Sequence, residues 1–344
     1  MSSSMAASDS QVSAEPRLHP LGDGLNNGQQ YKRSLTVTVI LITYNNADHI
    51  ASCLDSVVSQ LPNPASRVIV FDNASADETA AIVESSWPSV GLIRSARNLG
   101  FGRACNEVVS GLTTDYILLI NPDAVIKPGC VDALLDLAVR QPKAGLYGGR
   151  TYTSGGLLDP SSCFGRPSLW GIFCFATGLS AALPRSRWFS TDSIGNWTRD
   201  TERRVGIVTG SLLLADRLIW ERLGGFDDKF FMYGEDFDLN IRASGIGCTP
   251  MITPEAGIVH VRGGSSSRDD RLVLLFRGKV TLARKLWTGP RLAAAELMLM
   301  AGVWLRAVLS GARDRIKTRS ASNIQTPSQW ATLWQNRNEW RKGW

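Results

Sequence analysis

The sequence predicts an α/β protein: an open, mostly parallel sheet with helices on both faces, followed by C-terminal amphipathic helices. Three observations predict it. Apolar, β-branched runs of strand length alternate with segments of helical periodicity over residues 36–140. Three of those runs end in clusters of Thr, Asn, Asp and Ser. Beyond residue 270, apolar residues fall mostly on one helical face edged by Lys and Arg.

Thr36 to Thr43 is the first strand, ended by Tyr44-Asn45-Asn46. Asn45 or Asn46 can cap the helix that carries Ile50, Cys53, Leu54, Val57 and Val58 at helical spacing. Arg67 to Phe71 is a second buried strand, closed by Asp72-Asn73-Ala74-Ser75-Ala76-Asp77. A helix from Asp77 to Ser86 leads to a short strand, Val90 to Arg94. Tyr116 to Ile120 is the next strand, ended by Asn121-Pro122-Asp123, and a helix follows from Pro128 to Arg140. Leu157 to Thr201 reads as irregular. Val205 to Leu214 reads as one buried strand, followed by a helix through Leu223 that stops at Gly224-Gly225. The run Phe226 to Leu239 enters a helix ending near Gly245, and Ile258-Val259-His260 closes the globular part. In such sheets ligands bind outside the carboxyl ends of the strands, so the polar clusters mark one rim as the site.

A chain of 344 residues, 44% hydrophobic and 20% charged, can bury one large core plus an appendage. Six scattered cysteines without a CxxC pair suit reduced thiols better than a disulfide framework or a zinc site. From Arg271 to Trp344 there are 14 Lys+Arg against 3 Asp+Glu, a net +11, which leaves −5 for residues 1–270. A mildly acidic body argues against a nucleic-acid binder, and the basic tail is suited to an anionic surface such as a membrane. A merely solvated tail fits the same charge. Residues 1–34 lack an apolar core and read as a disordered leader, 35–268 as the catalytic domain and 269–344 as the tail.

Three places carry chemistry. Asp123 directly follows a strand and a turn on the ligand rim, where it could coordinate a cation that bridges two phosphates; Asn-Pro-Asp is equally good turn chemistry. Glu235 and Asp236 stand at a helix start, where acids complement the macrodipole, yet Asp227, Asp228 and Asp238 crowd beside them. Gathering that much negative charge points to a cation or a proton-transfer task. His260 is a lone strand histidine, ordinarily structural, but it stands just before Arg262-Gly263-Gly264, whose backbone N–H groups could meet a phosphate.

The ordered set resembles glycosyltransferase family 2, with the GT-A fold, and within it the bacterial rhamnosyltransferase-like branch. The matching residues are Thr43-Tyr44-Asn45, Asp72 to Asp77, Arg97 to Asn106, Asn121-Pro122-Asp123, Gly225 to Leu239 and the run from His260. The resemblance covers residues 36 to 268 and implies roles position by position. Thr43, Tyr44 and Asp72 would hold the nucleoside, with Asn45 and Asn73 beside them; Asn98 and Gly100 would line the donor pocket. Asn121 to Asp123 stands where the family has its Asp-x-Asp element, with Asn121 in place of the first acid, so Asp123 and His260 would bind Mg²⁺ or Mn²⁺. Asp236 would be the general base and Glu235 would orient the site or the acceptor. A helix start should keep Asp236 ionised. One such base suffices for single-displacement inversion, and no separate nucleophile for retention is evident.

The expected activity is therefore transfer of a sugar, with L-rhamnose from dTDP-L-rhamnose as the leading donor, to a glycan or lipid-linked saccharide in cell-surface polysaccharide synthesis. A UDP-sugar-dependent hexosyl or hexosaminyl transferase, a sugar-phosphate nucleotidyltransferase and a non-catalytic binder are the competitors. The tail's apolar faces, edged by Lys, Arg and Trp, fit an interfacial helix on the inner face of a bacterial plasma membrane. Packing on the domain or on a second copy in a homo-oligomer fits as well. The uninterrupted apolar run Leu297 to Leu305 is too short to span a bilayer.

Overall fold

The computed structural model describes residues 34–195, 197–260, 268–318 and 328–344. The expected leader, apart from Ser34, and the Arg262-Gly263-Gly264 run lie outside the described residues.

The first half alternates as expected: β1 (Val37–Thr43), α1 (Ala47–Val58), β2 (Arg67–Asp72), α2 (Thr79–Ser86), β3 (Gly91–Arg94), α3 (Phe101–Val109) and β4 (Tyr116–Ile120). Then come β5 (Ala124–Ile126), α4 (Cys130–Arg140), β6 (Leu146–Thr153), β7 (Leu158–Asp159), β8 (Cys163–Phe164), α5 (Leu169–Thr177) and α6 (Leu179–Ala182). The chain continues through β9 (Arg203–Arg204), β10 (Ile207–Val208), β11 (Leu212–Asp216), α7 (Arg217–Leu223), α8 (Glu235–Gly245) and β12 (Met251–His260). It ends in α9 (Arg268–Leu286), α10 (Gly289–Thr318), α11 (Gln329–Gln335) and α12 (Arg337–Trp340).

The main sheet runs β3-β2-β1-β4-β11-β6-β12-β5. β3, β2, β1 and β4 are parallel, whereas β11 is antiparallel to both of its neighbours and β5 is antiparallel to β12. One face is covered by α1, α2 and α4, with Ile50, Leu54, Val83 and Leu134 in its core. The other is covered by α3, α7 and α8, with Cys105, Val108, Trp220 and Leu239. All six cysteines are free and buried.

Several expectations give way. The run Val205 to Leu214 is two strands: β10 pairs with β8 in a separate small sheet, and only β11 joins the main one. Thr209-Gly210-Ser211 turns the chain between them. Neither Asn45 nor Asn46 caps α1 with its side chain; Asp77 accepts from Ala47 N at 3.0 Å, and Asn46 Oδ1 accepts from Tyr44 N at 3.0 Å. The segment 157–201 contains α5, an apolar helix capped by Ser168. The final strand starts at Met251, well before Ile258. In the tail, α10 is a 30-residue helix whose Gly289–Ala312 stretch is long and apolar enough to cross a membrane by length and composition. It extends far beyond the apolar run because Glu296 and Arg306 do not interrupt the helix; each finds a partner, in Arg284 and in the Phe175 carbonyl.

A third core joins the tail to the body: Phe276, Leu299, Val303, Leu333 and Trp340 pack with Ile172 and Phe175 of α5. α9 also crosses the segment before α8. A Cβ at Gly278 would lie 2.0 Å from the Tyr233 carbonyl oxygen, so nothing larger than glycine fits that crossing. Gly278→Ala is therefore expected to destabilise the protein by about 1–3 kcal/mol. Gly311→Ala, in a helix with open space around the position, should be neutral or stabilising. Thermal melts of the two variants check the contrast; equal melting temperatures would count against the crossing.

Candidate active site

One end of the rim is built by the carboxyl ends of β1 and β2. Thr43 lies opposite Asp72 in parallel register, and its hydroxyl donates to Asp72 Oδ1 at 3.3 Å. Both are buried. Tyr44 stands 38% exposed at the edge, where a ring could cover a base. Asn45 bonds the loop after β2 in both directions: its N–H donates to Ser75 Oγ at 2.9 Å and its Oδ1 accepts from Ala76 N at 2.8 Å. Asn73 reaches the next loop, accepting from Leu99 N at 2.7 Å and donating to the Gly100 carbonyl at 3.1 Å. Asn98 Oδ1 accepts from Gly100 N at 2.9 Å and shapes the same turn. Gly100 is required twice over. Its φ is +82°, and a Cβ there would lie 2.2 Å from the Phe231 carbonyl oxygen. That contact ties the donor-side loop to the acidic segment, since Phe101 N donates to the same oxygen at 2.9 Å.

The second group follows β4. Asn121 to Asp123 forms a turn, with Ala124 N donating to the Asn121 carbonyl at 3.1 Å, and β5 starts at once. β5 pairs with the end of β12, placing His260 opposite Ala124. Asp123 Oδ1 therefore stands 2.9 Å from His260 Nε2, and the Asn121 amide nitrogen is 3.4 Å from the same ring atom. Turn chemistry and ligand chemistry coexist here. No three His, Cys, Asp or Glu side chains form a metal cluster among the described residues. The partly exposed carboxylate and imidazole nonetheless suit a Mg²⁺ or Mn²⁺ ion that takes its remaining ligands from a diphosphate and water. Nε2 would have to present its lone pair in place of a proton.

The third group is the acid pair. Asp236 accepts from Gly210 N at 3.1 Å and Phe237 N at 2.8 Å. Ser211, next to Gly210, accepts from Asn121 N at 3.2 Å, so one turn holds both Asp236 and the Asn121–Asp123 loop. Asn240, fully buried, bonds both backbone groups of Val208 and the Asp236 carbonyl, locking α8 beneath this turn. Burial pushes the Asp236 carboxyl above its ordinary range, against the backbone N–H donors that hold it down. The expectation that the helix dipole governs Asp236 thus yields to desolvation. Burial, and then the charge of Asp236, push Glu235 up to about 8. Glu235 Oε2 is buried with no hydrogen-bond partner. Raised to about 8, Glu235 keeps its proton at neutral pH.

The acidic crowd around the pair is dispersed by cations. Lys285 of α9 contacts both Asp227 and, at 2.5 Å, Asp238, while Arg242 Nε meets Asp238 at 2.7 Å. Asn106 bonds Asp228 at 3.3 Å. Sequence reasoning missed these supports, and it missed Tyr233. Burial raises the Tyr233 phenol, as do the charges of Glu235 and Asp123, while Arg271 lowers it. The charges of both acidic centres thus bear on this one phenol. Tyr233 hides in an aromatic run, Phe230-Phe231-Met232-Tyr233, that reads as packing; the Thr209-Gly210-Ser211 turn hides inside an apolar strand pattern.

A model of glycosyl transferase family 2 matches residues 38–165. The N-acetylglucosaminyl-diphospho-decaprenol L-rhamnosyltransferase of Mycobacterium tuberculosis is 33% identical over 258 residues, covering 71% of this chain and 81% of that protein. The succinoglycan biosynthesis protein ExoO of Rhizobium meliloti is 29% identical, covering 69% of this chain and 64% of that protein. In fold, the chain is similar to the mannosyltransferase PcManGT of Pyrobaculum calidifontis, solved with GDP-Man and Mn²⁺. The TM-score is 0.51 at 20% identity, over 88% of this chain and 84% of that one.

The buried Glu235 sets a pH dependence. The unfolded chain loses this proton near the ordinary value of 4.5, whereas the folded chain keeps it until about 8. Between those values the unfolded state binds fewer protons, so stability falls as pH rises. Glu235→Gln removes the effect. Its melting temperature should exceed the wild type's increasingly from pH 5 to pH 8, reaching on the order of 5 °C. A pH-independent difference between the two melts would contradict this burial.

Proposed function

The chain belongs to glycosyl transferase family 2 and is a glycosyltransferase, and from that premise we propose an inverting, metal-dependent enzyme that moves L-rhamnose from dTDP-L-rhamnose to a lipid-linked saccharide hydroxyl. The observation that carries the reading is the 2.9 Å pair of Asp123 and His260, held by one turn to the half-buried Asp236. The rhamnosyl group and the lipid-linked acceptor are supported by the mycobacterial relative, an N-acetylglucosaminyl-diphospho-decaprenol L-rhamnosyltransferase.

In this mechanism the Thr43, Tyr44, Asn45 and Asp72 rim holds the nucleoside, and Asn73, Asn98 and Gly100 shape the donor pocket. Asn121 steadies the loop that carries Asp123. Asp236 takes the acceptor hydroxyl proton as that oxygen bonds the anomeric carbon and the bond to the nucleoside diphosphate breaks. Its raised basicity suits that task better than an ordinary aspartate would. Glu235, buried and with its Oε2 closed to solvent, orients the site beside Asp236. Asp123 and His260 would hold a divalent cation, which would supply neutralisation of the charge that grows on the departing diphosphate. Residues 35–268 form the catalytic domain in this reading. The basic tail, 269–344, brings the enzyme to the inner face of the plasma membrane, alone or as a homo-oligomer.

Asp236→Asn is expected to keep nucleotide-sugar binding while lowering turnover about 10²–10⁴-fold; near-normal turnover would remove Asp236 as the base. Asp123→Ala and His260→Ala should each lose stimulation by Mg²⁺ or Mn²⁺. A panel of dTDP-rhamnose and UDP-hexoses or UDP-hexosamines, read by release of the nucleoside diphosphate, tests the donor. Preference for a UDP-sugar would replace rhamnose with a hexosyl or hexosaminyl group.

A further inference from the structure

Two neighbouring helices each turn an apolar face away from the protein. On α10, Leu297, Ala301, Trp304 and Val308 are exposed at spacings that place them on one helical side. Leu297 is 70% exposed and Trp304 49%. The opposite side, with Ala295, Leu299, Gly302 and Val303, is buried. On α5, Trp170 stacks on Phe173 at 5.3 Å, and its indole N–H donates to the carbonyl of Trp188 at 2.7 Å. Trp188 is 66% exposed. The two helices are pinned together: Arg306 of α10 donates to the Phe175 carbonyl of α5 at 2.7 Å and lies 3.9 Å over the Phe175 ring.

The charge around these faces is mostly basic, with Asp192 packed inward against Gly171 of α5. No Asp or Glu occurs from residue 160 to residue 191, a stretch with Arg166, Arg185 and Arg187. Arg187 lies over the Trp188 ring at 5.1 Å. Glu296 of α10 is paired with Arg284 at 2.9 Å, so it offers no net negative charge. Exposed tryptophans beside arginines on an apolar face suit the headgroup region of an anionic leaflet. A helix packed along α5 by its buried side cannot also cross the membrane, so α10 would lie in the plane of the leaflet.

We infer that the outward stripe of α10 and the Trp170–Phe173–Trp188 cluster are the contacts by which this protein docks on an anionic lipid bilayer. The inference rests on the membrane association proposed above and assigns it to a surface, one that includes a segment outside the basic tail. It is tested with the full chain, by sedimentation with phosphatidylglycerol-containing vesicles against phosphatidylcholine vesicles. Leu297→Glu/Trp304→Glu and Trp170→Glu/Trp188→Glu are each expected to weaken partition onto anionic vesicles at least about tenfold. Their donor hydrolysis and melting temperature should remain those of the wild type. If the wild type ignores anionic vesicles at low salt, membrane association itself fails. If the wild type binds and both variants bind equally well, association stands and this surface is wrong. If light scattering shows a wild-type dimer that the same substitutions dissociate, with vesicle binding unchanged, the faces belong to a second copy and the inference is overturned.

Discussion

The site depends on a three-residue pairing between β5 and the end of β12. Asp123 and His260 are 137 residues apart in the chain, and only the register His260 opposite Ala124 brings them to 2.9 Å. The turn at Asn121 starts β5 immediately after Asp123, so the carboxylate stands at the first rung of that short ladder. Without this antiparallel rung the two side chains would belong to separate strand ends, and their 2.9 Å pairing would not form. The same loop is held from the other side by the Ser211 carbonyl, next to the residue that steadies Asp236. Backbone pairing, rather than the polar side chains, thus sets the geometry that the chemistry uses.

Electrostatics then divides the acidic segment into two parts. Asp227 and Asp238 are met by Lys285, with Arg242 adding a second cation to Asp238. Glu235 and Asp236 receive no such cation among the described ion pairs, and burial raises both. The division has a cause: against burial, the Lys285 contact holds Asp227 below its ordinary range, whereas Glu235 and Asp236, without such a cation, gain proton affinity from desolvation. Because Lys285 belongs to α9, the tail takes part in this arrangement. The crossing of Gly278 under Tyr233 has the same consequence, fixing the segment that leads into α8.

Membership of glycosyl transferase family 2 and the fold likeness to a nucleotide-sugar-dependent mannosyltransferase fit a site assembled at strand ends. An apolar helix within residues 157–201 packs on a long tail helix, and both expose aromatic or aliphatic faces. These surfaces are costly to leave in water, which is why they carry information about where the protein works.

The sequence by itself determined the parallel half of the sheet, because β-branched runs ended by polar residues can be little else, and it determined which residues populate the rim. Thr43, Asp72, Asn121, Asp123, Glu235, Asp236 and His260 were legible as chemistry-bearing types at strand ends and helix starts. The break between β10 and β11 was not, since Thr209-Gly210-Ser211 lies within an apolar run whose periodicity says nothing of strand partners. Nor was the ionisation of the acid pair: the helix start predicts a favourable dipole, but desolvation comes from residues distant in the chain. The partners of Asp227 and Asp238, the burial of the Tyr233 phenol and the full length of α10 were likewise decided in three dimensions. Local pattern fixes what each segment is; only tertiary packing decides which charges meet, which are stripped of water, and which apolar faces stay uncovered.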